Sequence, residues 1–120
     1  MAAEKNFETK IKEWMEERGN WFIKYWGGAA YTKKGIPDLL CCLDGYFFGI
    51  EVKADNGKPT LLQLRNLERI RNAGGYGVLL YPKGFKQFKE LVEHKSKTNA
   101  WYLENIREQK VWKAKLEKGE

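Results

Sequence analysis

A chain of 120 residues suffices for one domain built on a single core, and it excludes a two-domain reading. With 42% hydrophobic and 32% charged residues it has no apolar run near the length of a membrane span and no signal-peptide pattern, so the expected setting is cytoplasmic and off the membrane. The net charge of +6 suits a polyanionic partner without requiring one, and His94, the only histidine, argues against chemistry built on histidine bases or histidine-rich zinc sites.

Residues 5–18 carry Phe7, Ile11, Trp14 and Met15 at i, i+4, i+7 and i+8, which predicts an amphipathic helix with Asn6 as N-cap and Gly19 as its stop. Glu8 lies at the edge of that apolar stripe. It reads either as a first-turn acid facing the helix dipole or as a group that reaches over the sheet. Residues 21–26 have strand composition, and the glycine-rich stretch 27–35 reads as a loop. Its lysines, Lys33 and Lys34, are either phosphate contacts or solvated charges.

The next stretch organises the chain. Asp44-Gly45 separates two runs of strand-forming residues, 39–43 and 46–52, and an Asp-Gly pair in that position is a strong hairpin signal. With Asp44 and Gly45 as the loop, Leu43 faces Tyr46, and counting outward brings Asp38 opposite Glu51. Their Cβ atoms are then about 4.5–5.5 Å apart on one face, where like charges destabilise a sheet. Lys53 shares the parity of Glu51, whereas Tyr46, Phe48, Ile50 and Val52 point the other way. One lysine cannot neutralise two acids. A divalent ion such as magnesium, with open positions for water and phosphate oxygens, supplies the missing charge. The plainer reading makes Asp38 a turn residue and Glu51 and Lys53 a solvated strand face. Cys41 and Cys42, adjacent on the first strand, read as small core residues with no disulfide partner.

Residues 54–59, with Lys58, form a turn-rich connection, and Thr60 opens a helix to about residue 73, stopped by Gly74. Leu61, Leu64, Leu67 and Ile70 give that helix an apolar side. Thr60 and Gln63 have the spacing of a capping box, which competes with any role of Gln63 in a site. Arg65 lies on the same helix. Residues 76–81 form an apolar strand reached through a helix, hence parallel to its partner. Residues 85–95 and 100–118 read as helical. The last keeps no clean apolar period, and Trp101, Tyr102 and Trp112 are too large to leave exposed, so it docks on the core or on a partner. Residues 83–120 hold ten Lys+Arg against six Asp+Glu, so the basic excess lies towards the C-terminus. The expected fold is α/β, with an α-β-β-β-α-β core over about residues 5–82, a mixed sheet flanked by helices, and a helical extension over 83–120.

Gly35-Ile36-Pro37-Asp38-Leu39, Gly49-Ile50-Glu51-Val52-Lys53 and the downstream Gln63 resemble the signature of the VRR-type nuclease domain, a branch of the PD-(D/E)XK restriction-endonuclease-like superfamily. The resemblance covers about residues 7–81. It implies a magnesium- or manganese-dependent nuclease in which Asp38, Glu51 and the Val52 carbonyl hold the metal and Glu8 supports it. Lys53 positions the attacking water, and Gln63 stands beside the site. DNA, probed by Lys33, Lys34, Lys58 and Arg65, is the implied partner. Stand-alone members of this type resemble small resolvases, which implies a homodimer acting on branched DNA such as four-way (Holliday) junctions. The competing readings are a catalytically silent nucleic-acid-binding module of the same fold, and a nuclease of the superfamily that cuts duplex or flap DNA.

Overall fold

A computed structural model describes residues 2–26 and 33–119. Helix α1 (Ala2–Glu17) leads into β1 (Trp21–Lys24), β2 (Leu39–Leu43) and β3 (Tyr46–Val52). Then come α2 (Leu61–Asn72), β4 (Tyr76–Leu80), a 3-10 turn (Pro82–Gly84), α3 (Phe85–Glu93) and α4 (Ala100–Glu117). The strands lie in the order β1-β2-β3-β4, antiparallel except for the parallel β3–β4 pair that the α2 crossover joins. The α-β-β-β-α-β core and the helical extension match the expectation.

Helix α1 begins at Ala2, ahead of the expected start, so Asn6 is an interior residue and not the cap. Its C-terminus closes as expected. Gly19, at φ 73°, donates to the Glu16 carbonyl and Asn20 N–H donates to that of Met15, the paired bonds of a Schellman motif. Phe7, Ile11 and Met15 pack on the sheet face formed by Leu39, Cys41, Phe48 and Ile50, and Phe88, Leu91 and Val92 of α3 complete that core. Helix α2 lies on the opposite face. A Cβ on Gly77 would stand 2.4 Å from the Leu67 carbonyl oxygen, so only glycine lets α2 approach the sheet this closely.

The hairpin turns through Asp44 (φ 51°) and Gly45 (φ 90°), the pair of positive φ values of a type I′ turn. Asp44 is clamped from both sides, by Arg18 at 2.7 Å and Lys95 at 2.8 Å. The hydrogen bond from Lys95, with help from Arg18, holds its carboxyl below the ordinary carboxylate range. The observed register, Leu43 with Tyr46 through Leu39 with Ile50, extends to Asp38 opposite Glu51 as counted from the sequence. Alternation divides the two cysteines. Cys41 is buried, with its thiol pushed up to about 12 chiefly by burial, whereas Cys42 is exposed and is not the core residue expected.

Helix α4 docks on the core, and it does so with a polar stripe. Tyr102, Asn105 and Gln109 lie along the outer edge of β4, where a strand otherwise presents unpaired backbone groups. Gly77 N–H donates to the Tyr102 hydroxyl at 3.2 Å, and Leu79 N–H donates to Asn105 Oδ1 at 3.1 Å. Asn105 Nδ2 donates to the Leu79 carbonyl at 2.7 Å and Gln109 Nε2 to that of Gly77 at 2.9 Å. Arg71 of α2 donates to Gln109 Oε1 and ties the stripe to its neighbour. At the opposite edge β1 pairs with no further strand among the described residues, and Trp21 is 62% and Ile23 44% exposed. Among the described residues no helix is long and apolar enough to cross a membrane.

Candidate active site

The site forms where β2 and β3 outrun each other. Strand β2 ends at Leu39, so the β2-facing N–H of Val52 has no backbone carbonyl opposite it. The Asp38 carboxylate takes that place, accepting from Val52 N–H through Oδ2 at 2.8 Å. In an antiparallel ladder the N–H and C=O of one residue point to the same side, so the Val52 carbonyl is turned towards Asp38 as well. The backbone of Asp38 is fixed in turn by Tyr25, whose N–H donates to the Asp38 carbonyl at 2.9 Å.

Glu51 lies one residue back on β3, 2% exposed, between the Asp38 side and the parallel neighbour β4. Its Oε2 is 3.5 Å from Lys53 Nζ, and its Oε1 is buried without any hydrogen-bond partner. Burial first, and then the charge of Asp38, push the Glu51 carboxyl up to about 9 against the opposing pull of Lys53. A buried carboxylate oxygen with no donor is costly, and native proteins seldom keep one without a ligand or a chemical use for it.

Glu8 comes from α1 to the same end of the sheet. Its Oε1 accepts from Lys24 Nζ at 2.8 Å and its Oε2 stands 3.5 Å from Lys12. Lys24 also reaches Asp38 Oδ1 at 3.3 Å, so one ammonium bridges the two acids. Burial alone would lower the Lys24 pKa, but the hydrogen bond to Glu8 and the charges of Asp38 and Glu8 outweigh it and raise the value. The sequence reading missed Lys24. Its only signal is a lone lysine closing the apolar strand Trp21–Lys24, and its partner emerges only from the β1–β2 register, Lys24 against Leu39. With Glu8 drawn to lysines in this way, no group of three or more acids, cysteines or histidines gathers into a metal cluster among the described residues.

Gln63 makes the complete capping box. Its N–H donates to Thr60 Oγ1 at 3.2 Å, and its Oε1 accepts from Thr60 N–H at 2.9 Å. It also lines a cavity of about 250 Å³ together with Asp38, Tyr25, Lys33, Lys34 and Gly35. The glycine is needed there, since a Cβ on Gly35 would meet Leu62 Cγ at 2.5 Å. The rest of the loop expected over 27–35, residues 27–32, lies outside the described residues. The other two basic residues singled out stand elsewhere. Lys58 borders a separate cavity with Tyr81 and Trp112, and Arg65 faces Glu117 of α4 at 3.9 Å.

No protein-family model matches the chain, and no curated protein matches it. A solved structure described as "VRR_NUC domain" does, at 32% identity and a TM-score of 0.58, over 78% of this chain and 98% of the other. With that identity, that coverage and the α-β-β-β-α-β core in common, the chain belongs to the VRR_NUC family of nuclease-like domains.

Proposed function

We propose that this protein is a magnesium- or manganese-dependent nuclease that hydrolyses DNA phosphodiester bonds. The observation that carries the reading is the Glu51 side chain, an acid buried beside a second acid with one oxygen left without a donor. A cation is the partner that such an oxygen lacks, and an Asp–Glu pair with a nearby backbone carbonyl is an oxygen donor set that suits a hard divalent ion. Asp38, Glu51 and the Val52 carbonyl would hold it, with Glu8 in support. When bound, the ion supplies Lewis-acid polarisation of the phosphate and a lowered pKa for water.

The chain's own groups do the remainder. The Lys53 ammonium, on the same face as Glu51, orients the attacking water and meets the negative charge that builds on the phosphoryl oxygens. Lys33 and Lys34, on the cavity that Asp38 lines, contact phosphates on either side of the scissile bond, and Gln63 lends its amide to the same rim. Lys58 and Arg65 extend the contact along the duplex arms. Two-fold dimers are the commonest oligomers, and a symmetric pair of these sites would double the basic surface offered to DNA. We therefore read it as a homodimer that prefers four-way junctions, whose two equivalent strands match a two-fold pair of sites. The exposed Trp21 and Ile23 offer apolar surface for that contact.

The test is cleavage of single-stranded, duplex, flap and four-way junction DNA with magnesium, manganese or chelator, alongside light scattering. Metal-dependent cutting with a junction preference, from a particle twice the 14.1 kDa chain mass, is expected. No cutting of any substrate with either metal would refute the nuclease reading. Cutting without junction preference by a monomer would refute the resolvase reading alone.

A further inference from the structure

The most heavily contacted cation of the site is not one that the nuclease reading uses. Lys24 Nζ lies 2.8 Å from Glu8 Oε1 and 3.3 Å from Asp38 Oδ1, bridging carboxylates from two different elements as a metal ion does. Its position is fixed on several sides. The side chain is only 20% exposed, the Trp26 ring lies 5.4 Å from the ammonium, and the next residue, Tyr25, donates its N–H to the Asp38 carbonyl. Lys12 occupies the other oxygen of Glu8, so that acid has little capacity left for a divalent ion while Lys24 is in place.

We infer that Lys24 is a built-in cation occupying what would otherwise be a second metal position between Glu8 and Asp38, so that each chain takes up one divalent ion and not two. This rests on the metal-dependent reading above. Formal charge supports it. Glu8, Asp38 and Glu51 carry three negative charges, which Lys24 and one divalent ion balance, leaving Lys12 and Lys53 as excess cations beside the single charge of a phosphodiester. A second divalent ion beside Lys24 would add two more positive charges to that excess. Glu8 accordingly acts on the metal at one remove, by holding Lys24 against Asp38, and Lys24 is a positioning residue.

The experiment is manganese binding by the purified chain, followed by calorimetry for stoichiometry and by electron paramagnetic resonance for coupling between ions. Wild type, Lys24→Met, Lys24→Gln and Lys24→Arg are compared, with circular dichroism to establish that each is folded. The expected result is one uncoupled ion per chain for wild type and Lys24→Arg. Removing the charge in Lys24→Met or Lys24→Gln opens the Glu8–Asp38 position, giving two ions with the spectrum of a coupled pair. Two ions in wild type, or one ion in a folded neutral variant, overturns the inference and leaves the nuclease reading intact. Wild-type protein that takes up no manganese removes both. Should neither neutral variant fold, two ions in wild type would still overturn the inference.

Discussion

Two groups of buried polar side chains, at different borders of one sheet, treat hydrogen bonding in opposite ways. Along the outer edge of β4, Asn105 accepts from Leu79 N–H and from Gln109 and donates to the Leu79 carbonyl. At the ends of β2 and β3, Glu51 is as deeply buried but keeps Oε1 unpartnered and faces another acid. A satisfied buried network specifies a packing arrangement, whereas an unsatisfied one stores free energy that a ligand can release. The first group maintains the fold, and the second is where we propose that a ligand binds.

The largest effect expected from breaking the second region is on cleavage. Asp38→Ala or Glu51→Ala should lower the rate about a thousandfold or more, since charge stabilisation and metal binding are lost together. Lys53→Ala should do much the same but keep the manganese-dependent rise in Tm, because the ammonium acts on substrate and not on the ion. Either carboxylate variant cutting DNA at the wild-type rate would defeat the assignment.

The first region should answer in stability instead. Asn105→Leu strands the N–H and C=O of Leu79 at a buried edge, which costs roughly 2–4 kcal/mol and, at this size, on the order of 10 °C in Tm. Urea unfolding checks it, and a loss under 0.5 kcal/mol, to order of magnitude, would mean that water replaces the side chain there.

Glu51→Gln brings the two regions together, since removing the titratable carboxyl should make the metal-free protein more stable at neutral and alkaline pH. The Glu51 carboxyl is raised from 4.5 to about 9, so in that window the folded chain keeps a proton that the unfolded chain has lost. Its contribution is therefore full below the unfolded value and declines as pH rises through the folded one. Metal-free wild type should lose stability from mildly acidic to alkaline pH, and Glu51→Gln should flatten that slope by on the order of 5 kcal/mol at pH 8. Parallel pH profiles for the two proteins would show that Glu51 ionises without penalty.

The smallest effect concerns Gln63, which belongs to both kinds of region. Gln63→Glu retains an acceptor for Thr60 N–H, so helix α2 and overall stability should change by less than about 0.5 kcal/mol. Cleavage should still fall, about tenfold, because the new charge borders the cavity where phosphate would enter on the proposed reading. Unchanged cleavage would confine Gln63 to capping.

How legible each region was in the sequence follows from which physical signal encodes it. The Asp38–Glu51 pair could be read because Asp44-Gly45 fixes a two-residue loop and the register follows by counting. Lys24 could not be placed, since β1 and β2 lie too far apart in the sequence for their register to be counted. The orientation of α4 escaped for a different reason. Its buried stripe is Tyr102, Asn105 and Gln109, spaced as a helix face but mostly polar, so a search for apolar periodicity passes over it. The same polarity is what the exposed edge of β4 requires.

That edge also gives helix α4 a role during synthesis. Gly77 and Leu79 are made some 25 to 32 residues before the side chains that cover them, as the separations to Tyr102, Asn105 and Gln109 show. A nascent chain that has completed β4 but not α4 exposes one more strand's worth of bare hydrogen-bonding groups than the finished protein, next to an apolar core. The last helix is therefore a closing latch as well as an extension, and chains stopped before Tyr102 should be the ones that aggregate or are degraded.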